Sequence, residues 1–296
     1  MQKTEKIWFN GQLVLWEDAK IHVLTHALHY GSGVFEGIRF YKTSRGRAIF
    51  RLKEHVDRLF TSAESLFMKV PYSKEQIFNA IKETVKLNSA EEGYIRPIIF
   101  YGYGKMGLNP EGASIDAAVA VWPWAKYLGD KVKVKISKYI RIHPESLQAD
   151  KKVTGHYVNS ILASMDAKSS GYDESLLLDY KGNIAEGPGE NFFIVKNGII
   201  YTPKLGKILP GITRASIIEV AKDMKLQVVE QELTKKDIEE ADEAFFTGTA
   251  AEVTLIESID DKKFTKFQIS EKLKEKYIDI VKGKNKEYLK WLAFVD

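Results

Sequence analysis

The chain has no cysteine, which removes disulfides, thiolate nucleophiles and cysteine-ligated zinc together. It also lacks a membrane-length apolar run. The most apolar stretch, 117-AAVAVWPWA-125, is about half of the roughly 20 residues a spanning helix needs. There is no basic block or arm: 44 lysines and arginines are scattered among 40 acidic residues, for a net charge of +4. No nucleic-acid partner is expected from that balance. No G-x-S-x-G elbow occurs, which leaves a serine hydrolase unsupported. The N-terminal MQKTEKIWFNGQLVLWEDAK has charges on both sides of a short apolar run and no small-residue cleavage site, so it reads as no signal peptide. A cytoplasmic location, away from membranes, is expected.

What is there is ordinary for a globular protein. Its 296 residues, 44% hydrophobic and 28% charged, suit about two domains with sizeable cores. IWFNGQLV and FFIVKNGIIYTP each place Asn-Gly between apolar runs, the strongest short hairpin signal. In 53–67 the residues Val56, Leu59, Phe60, Ala63 and Phe67 fall at helical spacing, as do Ile77, Ile81 and Val85 in 75–88. Segments 94–102, 117–124, 132–137, 175–180 and 243–249 read as strands; 157–168, 213–224 and 270–283 read as helices. Hairpins and a surplus of strands over crossover helices exclude a purely parallel doubly wound sheet. The expected organisation is α+β: a small N-terminal domain at 1–124, a linker at 125–131 and a large domain at 132–296.

Candidate motifs differ in worth. Residues 102-GYGKMG-107 match G-x-G-x-x-G, but turn residues and another strand follow instead of the helix a dinucleotide site needs. His22, His26 and His29 have helical spacing without a metalloprotease glutamate, and no metal is expected. In 209-LPGITRASII-218 a Pro-Gly turn opens a helix whose first amides would attract an anion, unless it is a plain capped helix. The Gly and Thr of 247-TGTAAE-252 could contact the same anion or simply form a turn. In 184-IAEGPGENFFIV-195 Glu186 and Glu190 stand with Gly187 and Gly189 ahead of an apolar strand, where a carboxylate would be expensive without a cation beside it, unless the segment is a surface turn. In 150-DKKVTGHYVNS-160 two lysines adjoin, and local physics does not say which is chemically active. At most one can enter a site, because neighbours in extended chain point to opposite faces.

Read together, 8-WFNGQLVLWEDAKIHVLTHALHYGSGVFEGIR-39, EHVDRLFTSA, YIRPIIF, KMGLNP, WPWAKYLG, GHYVNSILA, IAEGPGENFF, ILPGITR and TGTAAE resemble the branched-chain aminotransferases of the fold-type IV pyridoxal-phosphate enzymes. The likeness covers most of the chain up to about Asp260. It implies a two-domain α+β fold, with a smaller N-terminal domain, a larger C-terminal domain of pseudo-barrel type, and the cofactor in the cleft between them. The activity implied is transamination of leucine, isoleucine and valine with 2-oxoglutarate. A homodimer or higher homo-oligomer whose active sites borrow partner residues is implied as well.

The resemblance also implies roles. Lys152, five residues before Tyr157, would be the lysine that bonds pyridoxal 5′-phosphate, with Tyr157 on the ring hydroxyl. Glu186 would hold the pyridine nitrogen and Leu209 would pack on the ring. Arg58, Gly211, Ile212, Thr213, Gly248 and Thr249 would hold the phosphate. Tyr30, Phe35, Gly37, Tyr94, Arg96, Met106, Leu108, Trp124, Tyr127, Thr249 and Ala250 would line the substrate pocket. Of these, Arg96 with Tyr30 and Tyr127 would meet the distal carboxylate of glutamate. Val153-Thr154-Gly155-His156 replaces the commoner Ala-Gly-Gly-Asn, and Pro188 stands where Ala or Ser is usual. The rival readings are a D-amino-acid aminotransferase or aminodeoxychorismate lyase, a cofactor-binding protein without catalysis, and a sugar- or nucleotide-binding module.

Overall fold

The computed structural model describes residues 2–124 and 128–295. The chain forms two compact units: Met1–Ala125, Lys151–Gly155 and Ile280–Asp296 make one, Lys126–Asp150 and His156–Asp279 the other. The expectation of a single boundary, with a smaller part before it and a larger one after, is therefore corrected. The units are nearly equal in size because two later segments group with the first. Of the expected linker, residues 125–127 lie outside the described residues, and Lys131 already belongs to a strand.

The first unit contains β1 (Lys6–Phe9), β2 (Gln12–Leu15), α1 (His26–Tyr30), β3 (Gly33–Phe35), β4 (Ile38–Thr43), β5 (Gly46–Phe50), α2 (Leu52–Ser65), α3 (Lys74–Leu87), β6 (Gly93–Tyr101) and β7 (Ile115–Trp122). The strands pair antiparallel in the order β5-β4-β6-β7-β1-β2, with β3 also on β6. Asn10 and Gly11 have φ of 46° and 89°, the left-handed pair that lets a two-residue turn join β1 to β2. Leu52, Val56, Leu59 and Ala63 of α2 and Ile77, Ala80, Ile81 and Val85 of α3 cover one sheet face as a single core. Ser73 and Gln76 form a capping box that starts α3. Phe67 does not join this core as its spacing suggested. α2 stops at Ser65, the amides of Leu66 and Phe67 turn back to the carbonyls of Ala63 and Glu64, and Phe67 adopts φ 58° and is 90% exposed.

The second sheet belongs to the other unit. In chain order its elements are β8 (Lys131–Ile140), α4 (Tyr157–Ser169), β9 (Glu174–Leu178), β10 (Asn191–Lys196), β11 (Ile199–Pro203), α5 (Ile212–Asp223), β12 (Val228–Gln231), α6 (Lys235–Glu239), β13 (Glu243–Gly248), β14 (Glu252–Ile259) and β15 (Lys262–Lys263); α7 (Gln268–Val281) follows. The order is β12-β11-β10-β13-β14-β8-β9, with β15 on β14. Three pairs are parallel (β11–β12, β14–β8, β8–β9) and the others antiparallel, so the sheet is mixed. Asn197 and Gly198, at φ 52° and 76°, make the second two-residue hairpin, between β10 and β11. Val132, Leu176, Ile184, Phe192, Phe246 and Ile256 lie in its core.

Of the C-terminal stretch after about Asp260, to which the sequence assigned no role, the part from Ile280 groups with the first unit. Its strand β16 (Leu292–Phe294) pairs antiparallel with β5, and the Arg51 guanidinium stacks 4.5 Å from the Trp291 ring centroid. Among the described residues, no helix is long and apolar enough to cross a membrane.

Candidate active site

Lys152 is placed by its main chain. Val153 bridges antiparallel to Val34 beside β3, and the Lys152 carbonyl accepts from the Phe35 amide at 3.1 Å. The Lys152 amide donates to Ser62 Oγ on α2 at 3.0 Å. Two residues on, Thr154 Oγ1 donates to the Gly31 carbonyl at 2.7 Å and accepts from the Gly33 amide at 3.1 Å. Val153 packs into the first core, so alternation turns Lys152 to the opposite side, where its Nζ lies 5.0 Å from the Phe35 ring centroid. Lys151 and Lys152 are both half-buried, so exposure does not separate them.

Next to this segment lies a buried polar cluster that the sequence reading missed. Glu36, on the turn from β3 to β4, is fully buried and takes both Arg58 Nε (2.6 Å) and Nη2 (2.9 Å) on its two oxygens. His55 Nδ1 lies 2.7 Å from Glu36 Oε2. Burial alone would push the Glu36 carboxyl up; the Arg58 charge and His55 outweigh it and hold Glu36 well below the carboxylate range. Burial pushes His55 down, against Glu36, with Arg58 and Lys152 adding to the shift. A neutral His55 must then carry its proton on Nδ1, because a carboxylate only accepts. The signal was present in 33-GVFEGIRF-40, where an acid interrupts an apolar run just as Glu186 does.

The sheet of the same unit gathers part of the expected substrate set. The Arg96 guanidinium lies 4.8, 5.3 and 5.9 Å from the ring centroids of Phe35, Tyr94 and Trp122. Tyr94 and Trp124 are 5.1 Å apart, centroid to centroid. Among the described residues, Arg96 Nε is buried without a hydrogen-bond partner. Gly37 is needed here, since a Cβ would sit 1.9 Å from the Tyr94 hydroxyl. Tyr30, Met106 and Leu108 are exposed in the single chain (43%, 41% and 90%). Tyr127 lies outside the described residues. The G-x-G-x-x-G segment runs through a loop, with Gly104 and Gly107 at φ 115° and 102°, into β7 rather than a helix. His26 pins that loop through Nε2 to the Gly107 carbonyl (2.8 Å) and Nδ1 to Ser32 Oγ (2.6 Å). His22 and His29 contact main-chain groups of Leu24 and Val23.

In the second unit Glu186 is 4% exposed and meets its cation. Arg141 Nε donates to Oε1 at 2.7 Å, Asn191 Nδ2 to Oε2 at 3.0 Å, and the Leu209 amide to both oxygens at 3.2 Å. All are donors, the set an ionised carboxylate takes. Arg141 and Asn191 were not anticipated. Asn191 Nδ2 also donates to the Leu209 carbonyl at 2.9 Å, which ties the acid to the turn ahead of α5. That turn ends in Gly211, where a Cβ would meet Asn191 Oδ1 at 1.9 Å. α5 then begins at Ile212 with no side-chain cap, while Thr213 is 3% exposed. α5 packs on β13, whose end supplies Gly248, followed by Thr249 and Ala250, all half-buried. Thr247 Oγ1 is buried without a hydrogen-bond partner among the described residues. Tyr157 is half-buried at the first position of α4.

Comparison with known proteins decides the family. Residues 33–259 match the family described as Amino-transferase class IV. The chain belongs to the class IV aminotransferases. It is 45% identical to the branched-chain-amino-acid aminotransferase of Pseudomonas aeruginosa over 98% of this chain and 97% of that one. The branched-chain aminotransferase of Thermoproteus uzoniensis, solved with norvaline, superimposes with a TM-score of 0.96 at 40% identity, covering 99% of this chain and 100% of that one. The branched-chain amino acid aminotransferase of Thermobaculum terrenum, solved in its PLP form, gives 0.94 at 30% identity over 100% of both chains.

Pyridoxal 5′-phosphate is the cofactor of this class IV enzyme. The second unit suits it on its own evidence. An ionised, cross-braced Glu186 fits a protonated ring nitrogen. An uncapped helix start, a glycine with no room for Cβ and the orphan hydroxyl of Thr247 fit a phosphate.

Proposed function

We propose that the chain catalyses reversible ping-pong transamination of L-leucine, L-isoleucine and L-valine with 2-oxoglutarate, giving the branched-chain 2-oxo acids and L-glutamate. The full-length likeness to branched-chain aminotransferases carries this reading. That likeness does not favour a D-amino-acid aminotransferase or an aminodeoxychorismate lyase.

Pyridoxal 5′-phosphate, when bound, supplies a carbonyl that condenses with amines and a ring that accepts electrons. The chain supplies the rest. Lys152 Nζ would hold the cofactor and would serve as the base that takes the substrate's α-proton and hands it on. Glu186 keeps a proton on the ring nitrogen, and Tyr157 hydrogen-bonds the ring hydroxyl. Arg58, Ile212, Thr213 and Thr249 hold the phosphate. Phe35, Tyr94 and Trp124 give the aliphatic side chain apolar surface, while Arg96 meets the distal carboxylate of glutamate in the other half-reaction.

In this reading the enzyme works in the cytoplasm and self-associates to at least a homodimer. Exposed apolar side chains support assembly: Val158, Ile161, Leu162 and Met165 lie along one side of α4, and Leu28, Tyr103 and Leu108 lie in the first unit. The test of substrate class is an assay with L-leucine and 2-oxoglutarate, beside D-alanine and aminodeoxychorismate. Turnover of L-leucine supports the proposal; turnover confined to either of the others overturns it.

A further inference from the structure

On its buried side α2 carries three polar residues at i, i+3 and i+7: His55, Arg58 and Ser62. Glu36 faces the first two with both oxygens engaged, and its own amide is pinned to the Pro97 carbonyl on β6 at 2.9 Å. The proposed reaction assigns Glu36 no step. A fully buried carboxylate is costly to keep, and the forked geometry shows what it controls. Nε and Nη2 of Arg58 lie on one edge of a planar guanidinium, and two bonds to one carboxylate fix both the plane and the direction of that edge. The other edge, at Nη1, is thereby turned away from Glu36. His55 holds Oε2 from a second side, so the carboxylate cannot rotate with the arginine.

We propose that Glu36 is a positioning residue that holds Arg58 in the one orientation able to receive the cofactor's phosphate, with His55 as its brace. This rests on the reading of Arg58 as a phosphate ligand. The sign of the effect separates positioning from charge. Glu36 cancels the Arg58 charge, so if only charge mattered, Glu36→Gln would strengthen phosphate binding. If orientation matters, Glu36→Gln weakens it, because the new amide confronts donors on Arg58 or His55.

The experiment titrates the cofactor-free full chain with pyridoxal 5′-phosphate and with pyridoxal, which lacks the phosphate, and reads the ratio of the two affinities. Wild type, Glu36→Gln, Arg58→Met and the double variant are compared. Positioning predicts that Arg58→Met and Glu36→Gln each reduce the preference for the phosphorylated form by at least about tenfold. It also predicts that the double variant is no worse than Arg58→Met. A Glu36→Gln ratio at or above wild type, or equal weakening of both ligands, overturns the proposal while leaving Arg58 as the phosphate ligand. An unchanged ratio in Arg58→Met overturns the Arg58 reading, and the proposal with it. Should Glu36→Gln fail to fold, the double variant against Arg58→Met decides: equal ratios support positioning, and a further loss contradicts it.

Discussion

The main-chain amide of Lys152 donates to the fully buried Oγ of Ser62 at 3.0 Å, so the seventh residue after His55 on α2 fixes the backbone of the proposed catalytic lysine. Ser62→Ala strands that amide. The expected loss is about 1–3 kcal/mol of stability, read by urea unfolding, with a lower kcat and little change in KM. An unchanged midpoint and unchanged kcat would remove Ser62 from the account.

Gly211→Ala places a Cβ 1.9 Å from Asn191 Oδ1, and Asn191 in turn holds Glu186. Overpacking of this kind costs about 1–3 kcal/mol. Displacing Asn191 also loosens the carboxylate meant for the ring nitrogen. The variant should fold with reduced stability and bind pyridoxal 5′-phosphate more weakly, as a cofactor titration would measure; full affinity would contradict this cradle.

The burial of His55, which outweighs its contact with Glu36, predicts a pH dependence with a definite sign. His55 is depressed from its ordinary 6.5, so the unfolded chain binds its proton first. Stability is full above about pH 6.5 and falls as the pH drops toward the depressed value. Glu36 is depressed as well, so its contribution persists through that window and is lost only below the ordinary carboxylate range. His55→Asn keeps a donor near the Nδ1 position without the titration. Its stability should change less between pH 7 and 5 than that of wild type, as denaturant midpoints at several pH values would show. Parallel curves would contradict the assignment.

Arg96→Leu removes the guanidinium that Phe35, Tyr94 and Trp122 surround. KM for 2-oxoglutarate should rise by about tenfold or more, the worth of one charge-assisted hydrogen bond, with a smaller change for L-leucine. Equal changes for both substrates would mean that Arg96 does not read the distal carboxylate.

Local chemistry made much of the fold legible. Val56, Leu59 and Ala63 announced α2, Ile77, Ile81 and Val85 announced α3, and two Asn-Gly pairs placed both hairpins. The interleaving of the units was not legible, because Val34 with Val153 and Phe50 with Leu292 pair across long stretches and leave no local mark. Phe67 misled because helical spacing continues past a left-handed turn that ends the helix. In the site, only the family pattern distinguished Lys152 from Lys151, whereas the need of Glu186 for a cation was readable from its apolar neighbours, and Arg141 meets it. Glu36 carried the same signal within GVFEGIRF.

The most direct test is the absorbance of the purified holoenzyme before and after L-leucine, in wild type and in Lys152→Ala, with the 2-oxo acid quantified. The account predicts that wild type converts its cofactor to the aminated form and releases one equivalent of 4-methyl-2-oxopentanoate, while Lys152→Ala does so negligibly. A Lys152→Ala protein that matches wild type in both spectrum and product would contradict it.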